Sequence, residues 1–160
     1  MSQPLKLAQD TDADALLDRS PFALLVGMLL DQQFPMERAF AGPWIISERL
    51  GHDLEPPEIA DFDPEAFAAI LTDPPAVHRY PGSMAGRIQQ LALHLVDGYG
   101  GRADALWEGV GSAPELLRRL KALPGFGEQK AKIFLALLAK QRGVQPVGWR
   151  EAAVEVPPFD

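Results

Sequence analysis

Residues 123–132 read Leu-Pro-Gly-Phe-Gly-Glu-Gln-Lys-Ala-Lys, and this stretch predicts a tight turn between two helices. Ser112 is a typical helix N-cap, and the leucines that follow it recur at helical spacing. The Pro-Gly pair at 124–125 ends that helix, and Gly127 opens a second one with the same apolar periodicity. The sequence therefore predicts a helical hairpin over residues 112–142.

The tip of this turn consists of backbone rather than of large side chains. Gly125 and Gly127 flank a single apolar residue, which leaves bare N–H groups at the start of the second helix. Such groups bind phosphate oxygens, because both the N–H donors and the helix dipole favour an anion. The turn alone is explained equally well as an ordinary αα-hairpin with glycine in its connection.

Charge is distributed unevenly along the chain, whose net charge is −7. Residues 1–111 carry 7 basic and 17 acidic side chains, a net of −10, and the last ten residues carry three acids. Residues 112–150 carry 8 basic and 2 acidic side chains, a net of +6. The positive segment coincides with the predicted turn, which favours a phosphate contact there over a solvated basic surface.

Composition limits the class of protein. A chain of 160 residues with 47% apolar residues suits one compact domain, which we assign to residues 1–160 with a C-terminal segment at 143–160. The absence of cysteine excludes disulfides, thiolate zinc sites and a cysteine-ligated iron–sulfur cluster. No signal peptide or membrane span is evident, so we expect a cytoplasmic protein without a membrane partner.

The rest of the chain also has the pattern of helices. Ser20 followed by Pro21 is a typical helix start, and the wholly apolar run 22–30 predicts a buried central helix. No stretch alternates with period two for long enough to predict a strand, so the expected fold class is all-α. Further helical segments are predicted at 11–17, at 35–50 with a break or bend near Gly42-Pro43, at 63–71, at 83–96 and at 103–107.

This order of elements resembles the helix–hairpin–helix (HhH-GPD) DNA glycosylase superfamily, which includes endonuclease III. The helix that ends in Asp-Gln-Gln at 31–33 is similar to the family's early helix with a glutamine at its end. Residues 80–91 are similar to its turn and helix ahead of the hairpin, and residues 123–127 match the hairpin. The resemblance implies a monomeric glycosylase-like helical domain without an iron–sulfur cluster, acting in base-excision repair on double-stranded DNA at the prokaryotic nucleoid.

In that family the hairpin holds the DNA backbone, often with a monovalent cation. The resemblance thus implies a Na⁺ or K⁺ site at the backbone of Leu123 and Gly125. Gln33 would lie near the duplex where a nucleotide is flipped out, and for Gln32 this role and that of a polar helix end both stay open. The DNA-contact residues implied are Gln32, Gln33, Tyr80, Gly125, Phe126, Gly127, Glu128, Gln129, Lys130 and Lys132.

The residues that perform the family's chemistry are replaced in this chain. The catalytic aspartate corresponds to Gly148, and the lysine of lyase-type members corresponds to Gln129. Lys130 is displaced by about 100° around a helix from the lysine position, so lyase activity is not expected. The candidate acids are Asp31, at a helix end where the dipole disfavours a carboxylate, and Glu151. Each is also explained as an ordinary solvated carboxylate.

Two aromatic residues are candidates for handling a base. Trp149 corresponds to the family's base pocket, where a flipped base could stack on it, although burial against the hairpin explains it as well. Arg79 and Tyr80 could contact phosphate or a base, or could belong to a proline-stiffened connection.

Three hypotheses follow from these observations. The first is a monofunctional DNA glycosylase for a damaged or mispaired base, and the second is a DNA-binding relative that recognises lesions or DNA structure without cutting. The third, a helical adaptor that binds protein through the hairpin, is disfavoured by the basic residues around the turn. Gly148 favours the second over the first, whereas Tyr80, Trp149 and the glutamine pair favour a role in base handling.

Overall fold

The computed structural model describes residues 5–31 and 34–152. These residues form nine α-helices and one short 3-10 helix, with no strand among them, which confirms the all-α prediction. The described residues divide into two compact units, an N-terminal unit of residues 5–103 and a C-terminal unit of residues 104–152. Such a division does not decide between one domain and two, so the single-domain interpretation stays a prediction. No helix of the described residues is long and apolar enough to cross a membrane.

The N-terminal unit is built around one apolar helix. Residues 22–30 are buried throughout, as their composition predicts. The segment 35–50 forms one continuous helix with Pro43 inside it, so the two-helix alternative for this segment is wrong. The helices of this unit are α1 Thr11–Arg19, α2 Pro21–Leu30, α3 Met36–Leu50, α4 Pro56–Asp61, α5 Pro64–Thr72 and α6 Pro81–Tyr99.

Local capping and close packing explain the position of α2. The Ser20 hydroxyl accepts a hydrogen bond from the Ala23 N–H at 3.1 Å, which satisfies a backbone donor that has no partner inside the helix. Glycine at position 27 lets α2 approach α3 closely. A Cβ atom there would lie 2.4 Å from Cδ1 of Phe40, so any larger residue would force the two helices apart.

The C-terminal unit contains the predicted pair of helices. The 3-10 helix Ala103–Leu106 leads into α7 Ala113–Lys121, α8 Glu128–Gln141 and the short α9 Trp149–Ala152. The Ser112 hydroxyl caps α7 by accepting from the Glu115 N–H at 3.3 Å, as predicted. Helix α8 buries residues 134–139 continuously, and it packs against α7 and α9. Buried apolar side chains of α8 therefore support the turn between α7 and α8.

Candidate nucleic-acid interface

The turn between α7 and α8 has a buried underside. Leu123 and Phe126 are 2% and 5% exposed, and the Phe126 ring meets the Phe134 ring edge-on at 6.1 Å. The Phe126 N–H donates to the Leu123 carbonyl at 3.0 Å, and Gly125 takes the left-handed conformation with φ +82°. Phe126 therefore supports the turn from below, and any contact from it to DNA would come from its backbone.

The outer side of the turn presents backbone donors at the start of α8. Gly127 is the N-cap, so no side chain caps the helix at this position. Gly127, Glu128 and Gln129 are exposed, and their N–H groups donate to no backbone carbonyl in the part of the chain that the structure describes. These donors lie at the positive end of the α8 dipole, where an oxygen anion is bound favourably.

The basic side chains around the turn are partly paired with acidic ones. The Glu128 carboxylate lies 3.4 Å from Nζ of Lys121 and 4.0 Å from Nζ of Lys132. The Glu115 carboxylate lies 3.2 Å from Arg119 and is also near Arg118. The two lysine pairs are exposed, so each is weak and can exchange partners with a phosphate. Arg119 is more buried and also donates to the Leu106 carbonyl at 3.0 Å, so it is held more firmly.

The other predicted residues of the C-terminal unit lie on and beside α9. Trp149 is half-buried, and the Arg150 guanidinium lies over its ring at 4.8 Å. Glu151 is exposed at the same short helix, where a carboxylate has the surroundings of an ordinary surface acid. The predicted stacking role of Trp149 and the catalytic role of Glu151 stay predictions.

The position that corresponds to the family's aspartate has a backbone typical of glycine. Gly148 has φ +89°, a conformation that L-residues with a Cβ rarely adopt. A Cβ there would meet Ala113 Cβ at 3.8 Å, an ordinary contact, so the strain would come from the backbone and not from crowding. The preceding Val147 carbonyl accepts from the Ala113 N–H at 2.8 Å, which ties this segment to the start of α7.

Asp31 and Tyr80 lie in the N-terminal unit, and His78 is hydrogen-bonded to the backbone of Leu30, next to Asp31, and to the backbone of Tyr80. Asp31 is the C-cap of α2, and Tyr80 is the N-cap of α6 with 47% exposure. The His78 ring is buried, and its Nε2 donates to the Leu30 carbonyl at 2.9 Å. Its Nδ1 accepts from the Tyr80 N–H at 3.0 Å, which selects the neutral ring with the proton on Nε2. The end of α2 and the start of α6 are thereby held together.

Three residues of this region were not predicted as functional. Gln32 and Gln33 lie outside the described residues, but Phe34 and Arg38 directly after them are described, and the Arg38 guanidinium lies 4.8 Å over the Phe34 ring. Their i, i+4 spacing at the start of a helix was a usable signal in the sequence. His78 gave no such signal, because its hydrogen bond to Leu30 joins residues 48 positions apart.

Two parts of the molecule bear on metal binding, the acidic and histidine side chains and the backbone of the turn between α7 and α8. Within residues 5–31 and 34–152, no group of three or more His, Cys, Asp or Glu side chains could hold a metal ion. The Leu123 carbonyl already accepts from the Phe126 N–H, and its second lone pair is compatible with a monovalent cation. The Na⁺ or K⁺ site at Leu123 and Gly125 therefore stays a prediction.

Comparison with known proteins adds no relative. The sequence matches no protein-family model and no curated protein at a significant level. The resemblance to the helix–hairpin–helix glycosylases consequently depends on the ordered motifs of the sequence and on the geometry of the turn between α7 and α8.

Proposed function

We propose that this protein binds double-stranded DNA through the α7–α8 turn and acts in base-excision repair as a monofunctional, glycosylase-like protein on a damaged or mispaired base. The observation that carries the proposal is the start of α8. There, Gly127, Glu128 and Gln129 are exposed and offer backbone N–H donors, while apolar side chains of the turn are buried beneath them. Lys121 and Lys132, each weakly paired with Glu128, lie beside these donors. This combination suits a DNA phosphate, since donors, dipole and cations all favour an anion.

A second candidate function is supported by the residue at position 148. Gly148 has no carboxylate at the position where the resemblance expects the catalytic acid. This favours a protein that recognises a lesion or a DNA structure without cutting. Asp31 and Glu151 are the acids that would have to act in the glycosylase instead.

A single-turnover assay separates these candidates. The substrates are duplexes that contain uracil, hypoxanthine, an alkylated purine, oxidised guanine or mispaired adenine, and abasic sites are detected by cleavage in alkali. Release of any base establishes a glycosylase, and its loss in Asp31→Asn or Glu151→Gln identifies the acid. No release, together with salt-sensitive binding to the same duplexes, supports the non-cutting protein. Absence of salt-sensitive binding would contradict both and favour the protein adaptor.

Replacing Glu128 by glutamine is expected to strengthen duplex binding by up to about fivefold, since exposed ion pairs are worth about 0–1 kcal/mol. In the wild type the Glu128 carboxylate attracts the lysines at positions 121 and 132, and it repels a phosphate approaching α8. The dependence of log affinity on log salt should become steeper if the released lysines contact phosphate.

Fluorescence anisotropy of a labelled duplex at several salt concentrations measures both quantities. Glu65→Gln removes an exposed acid from the N-terminal unit and is the charge-matched control. If Glu128→Gln binds no better than Glu65→Gln, the α8 start is not where phosphate is bound.

A further inference from the structure

A cavity of about 390 Å³ lies in the N-terminal unit beside the start of α3. Phe34, Arg38, His78 and Arg79 are among the residues that line it. Its volume falls within the usual range of small-molecule sites, about 300–1,000 Å³. The hairpin does not contribute to this cavity, and the proposed DNA contact at α8 does not account for it.

Two arginines at this cavity have no counter-ion within residues 5–31 and 34–152. Arg38 and Arg79 are exposed, and neither guanidinium forms a hydrogen bond or ion pair with a described residue. Elsewhere in the unit, Arg19 donates twice to the Asp53 carboxylate at 2.9 Å, which lowers the pKa of Asp53. Arg49 donates to the carbonyl oxygens of residues 70 and 75.

The missing counter-ion is notable because acidic residues are plentiful in this unit. Residues 4–103 carry 7 basic and 15 acidic side chains, a net of −8. Two guanidiniums that line one cavity in such surroundings, with no carboxylate partner among the described residues, indicate a site for an external anion. Guanidinium groups suit phosphate in particular, since their donors match its oxygens in pairs.

Planar rings adjoin the two arginines. The Phe34 and His78 ring centroids are 4.5 Å apart, and the Arg38 guanidinium lies over the Phe34 ring. The Tyr80 ring is 5.9 Å from the His78 ring and is 47% exposed, which leaves a face open for stacking. The two hydrogen bonds of His78 hold this assembly in place. The exposed Tyr80 ring beside two guanidiniums without a partner among the described residues is a combination that can recognise a base and its phosphate.

We propose that this cavity binds the phosphate of one nucleotide through Arg38 and Arg79, with the base stacked outside the cavity on Tyr80, whose ring lies 5.9 Å from that of the lining residue His78. Where that nucleotide belongs to a DNA strand, the site rests on the proposed function and gives the N-terminal unit its own contact with DNA. A free nucleoside monophosphate offers the same chemistry, so the test has an arm for each source.

The first arm measures duplex binding by the full chain with Arg38→Gln, Arg79→Gln and the control Lys6→Gln. Lys6 is an exposed cation of the same unit that does not line this cavity. Each arginine variant should bind the duplex about tenfold more weakly, with a salt slope lower by about 1, whereas Lys6→Gln should bind as the wild type does. Near-UV circular dichroism confirms that the variants are folded.

The second arm titrates the protein with deoxyguanosine 5′-monophosphate and with deoxyguanosine, and follows the arginine Nε–Hε resonances by NMR. Shifts of the Arg38 and Arg79 signals with the monophosphate alone support a site that accepts a free nucleotide. If the arginine variants bind the duplex more weakly but the monophosphate shifts no arginine resonance, the nucleotide is bound only within a strand.

The two proposals fail in distinguishable ways. If Gly127→Ala weakens duplex binding while both arginine variants match Lys6→Gln and the arginine signals do not shift with the monophosphate, the hairpin contact stands and the nucleotide site is overturned. If the wild type binds no duplex, the proposed function is wrong, and the titration alone then tests whether the cavity binds a nucleotide. Unmoved arginine signals would then overturn the site, and moving ones would support it.

Discussion

Replacing Gly127 by alanine is expected to weaken duplex binding about tenfold without lowering the melting temperature. The loss arises because a Cβ at the N-cap obstructs the approach of a phosphate to the N–H groups of α8, and one charge-assisted hydrogen bond is worth about 1.5–3 kcal/mol. The fold should be unaffected, since Gly127 has φ −92° and ψ −174° and a Cβ there meets nothing within 4 Å. Loss of glycine freedom in the unfolded chain stabilises the variant by about 0.4–1 kcal/mol, and the poorer N-cap preference of alanine offsets this gain.

The matched control for this variant is Gly86→Ala on the exposed side of α6. A Cβ at Gly86 also meets nothing within 4 Å, so this change alters a glycine without touching the turn. Gly125 is unsuitable as a control, because its φ of +82° would add backbone strain to any effect on binding. Anisotropy titrations and thermal melts measure the two quantities. Equal duplex affinities for Gly127→Ala and Gly86→Ala would remove the hairpin from the proposed function.

Replacing His78 by phenylalanine is expected to lower the free energy of unfolding by about 2–4 kcal/mol. Phenylalanine keeps a flat ring beside Phe34, but it can neither donate to the Leu30 carbonyl nor accept from the Tyr80 N–H. A buried backbone group that loses its partner costs about 1–3 kcal/mol; the Leu30 carbonyl bond is buried and the Tyr80 N–H bond is partly buried, so the second loss is the smaller one. This is the largest single effect on stability that we predict.

Denaturant unfolding followed by circular dichroism measures this loss. His94→Phe is the control, since His94 is a half-exposed residue of α6 whose ring lies 6.1 Å from that of Tyr99. The control should change stability by no more than about 0.5 kcal/mol. A His78→Phe protein as stable as His94→Phe would mean that water or a neighbouring group satisfies both backbone atoms, and that His78 does not join the ends of α2 and α6.

Helix starts were predictable because their causes are local. Ser20 and Ser112 each accept a hydrogen bond from a backbone N–H three residues later. The type of the capping residue is enough to predict this geometry. The buried helix α2 was predictable for a similar reason, since a segment that is apolar on all sides can only be stable inside a core. Helix α4 was not predicted from the sequence, because six residues are too few to show a helical periodicity of apolar side chains.

The candidate site was only partly predictable. The turn at 123–127 and its positive flanks are features of consecutive residues, and the structure has a tight turn there with Gly125 in the left-handed conformation. The pairing of Glu128 with Lys121 was not evident, because it joins residues on two different helices. The glycine-specific backbone at position 148 was likewise not evident from the residue type alone.

By itself, the sequence determined the all-α class, the central apolar helix, the capped helix starts and the turn between α7 and α8. These features depend on neighbouring residues, whose periodicity and backbone preferences act over a few positions. Only the tertiary structure decided that His78 joins Leu30 to Tyr80, and that Arg38 and Arg79 line one cavity without a counter-ion among the described residues. His78 and Leu30 are 48 positions apart, and only the packing of helices brings such residues together.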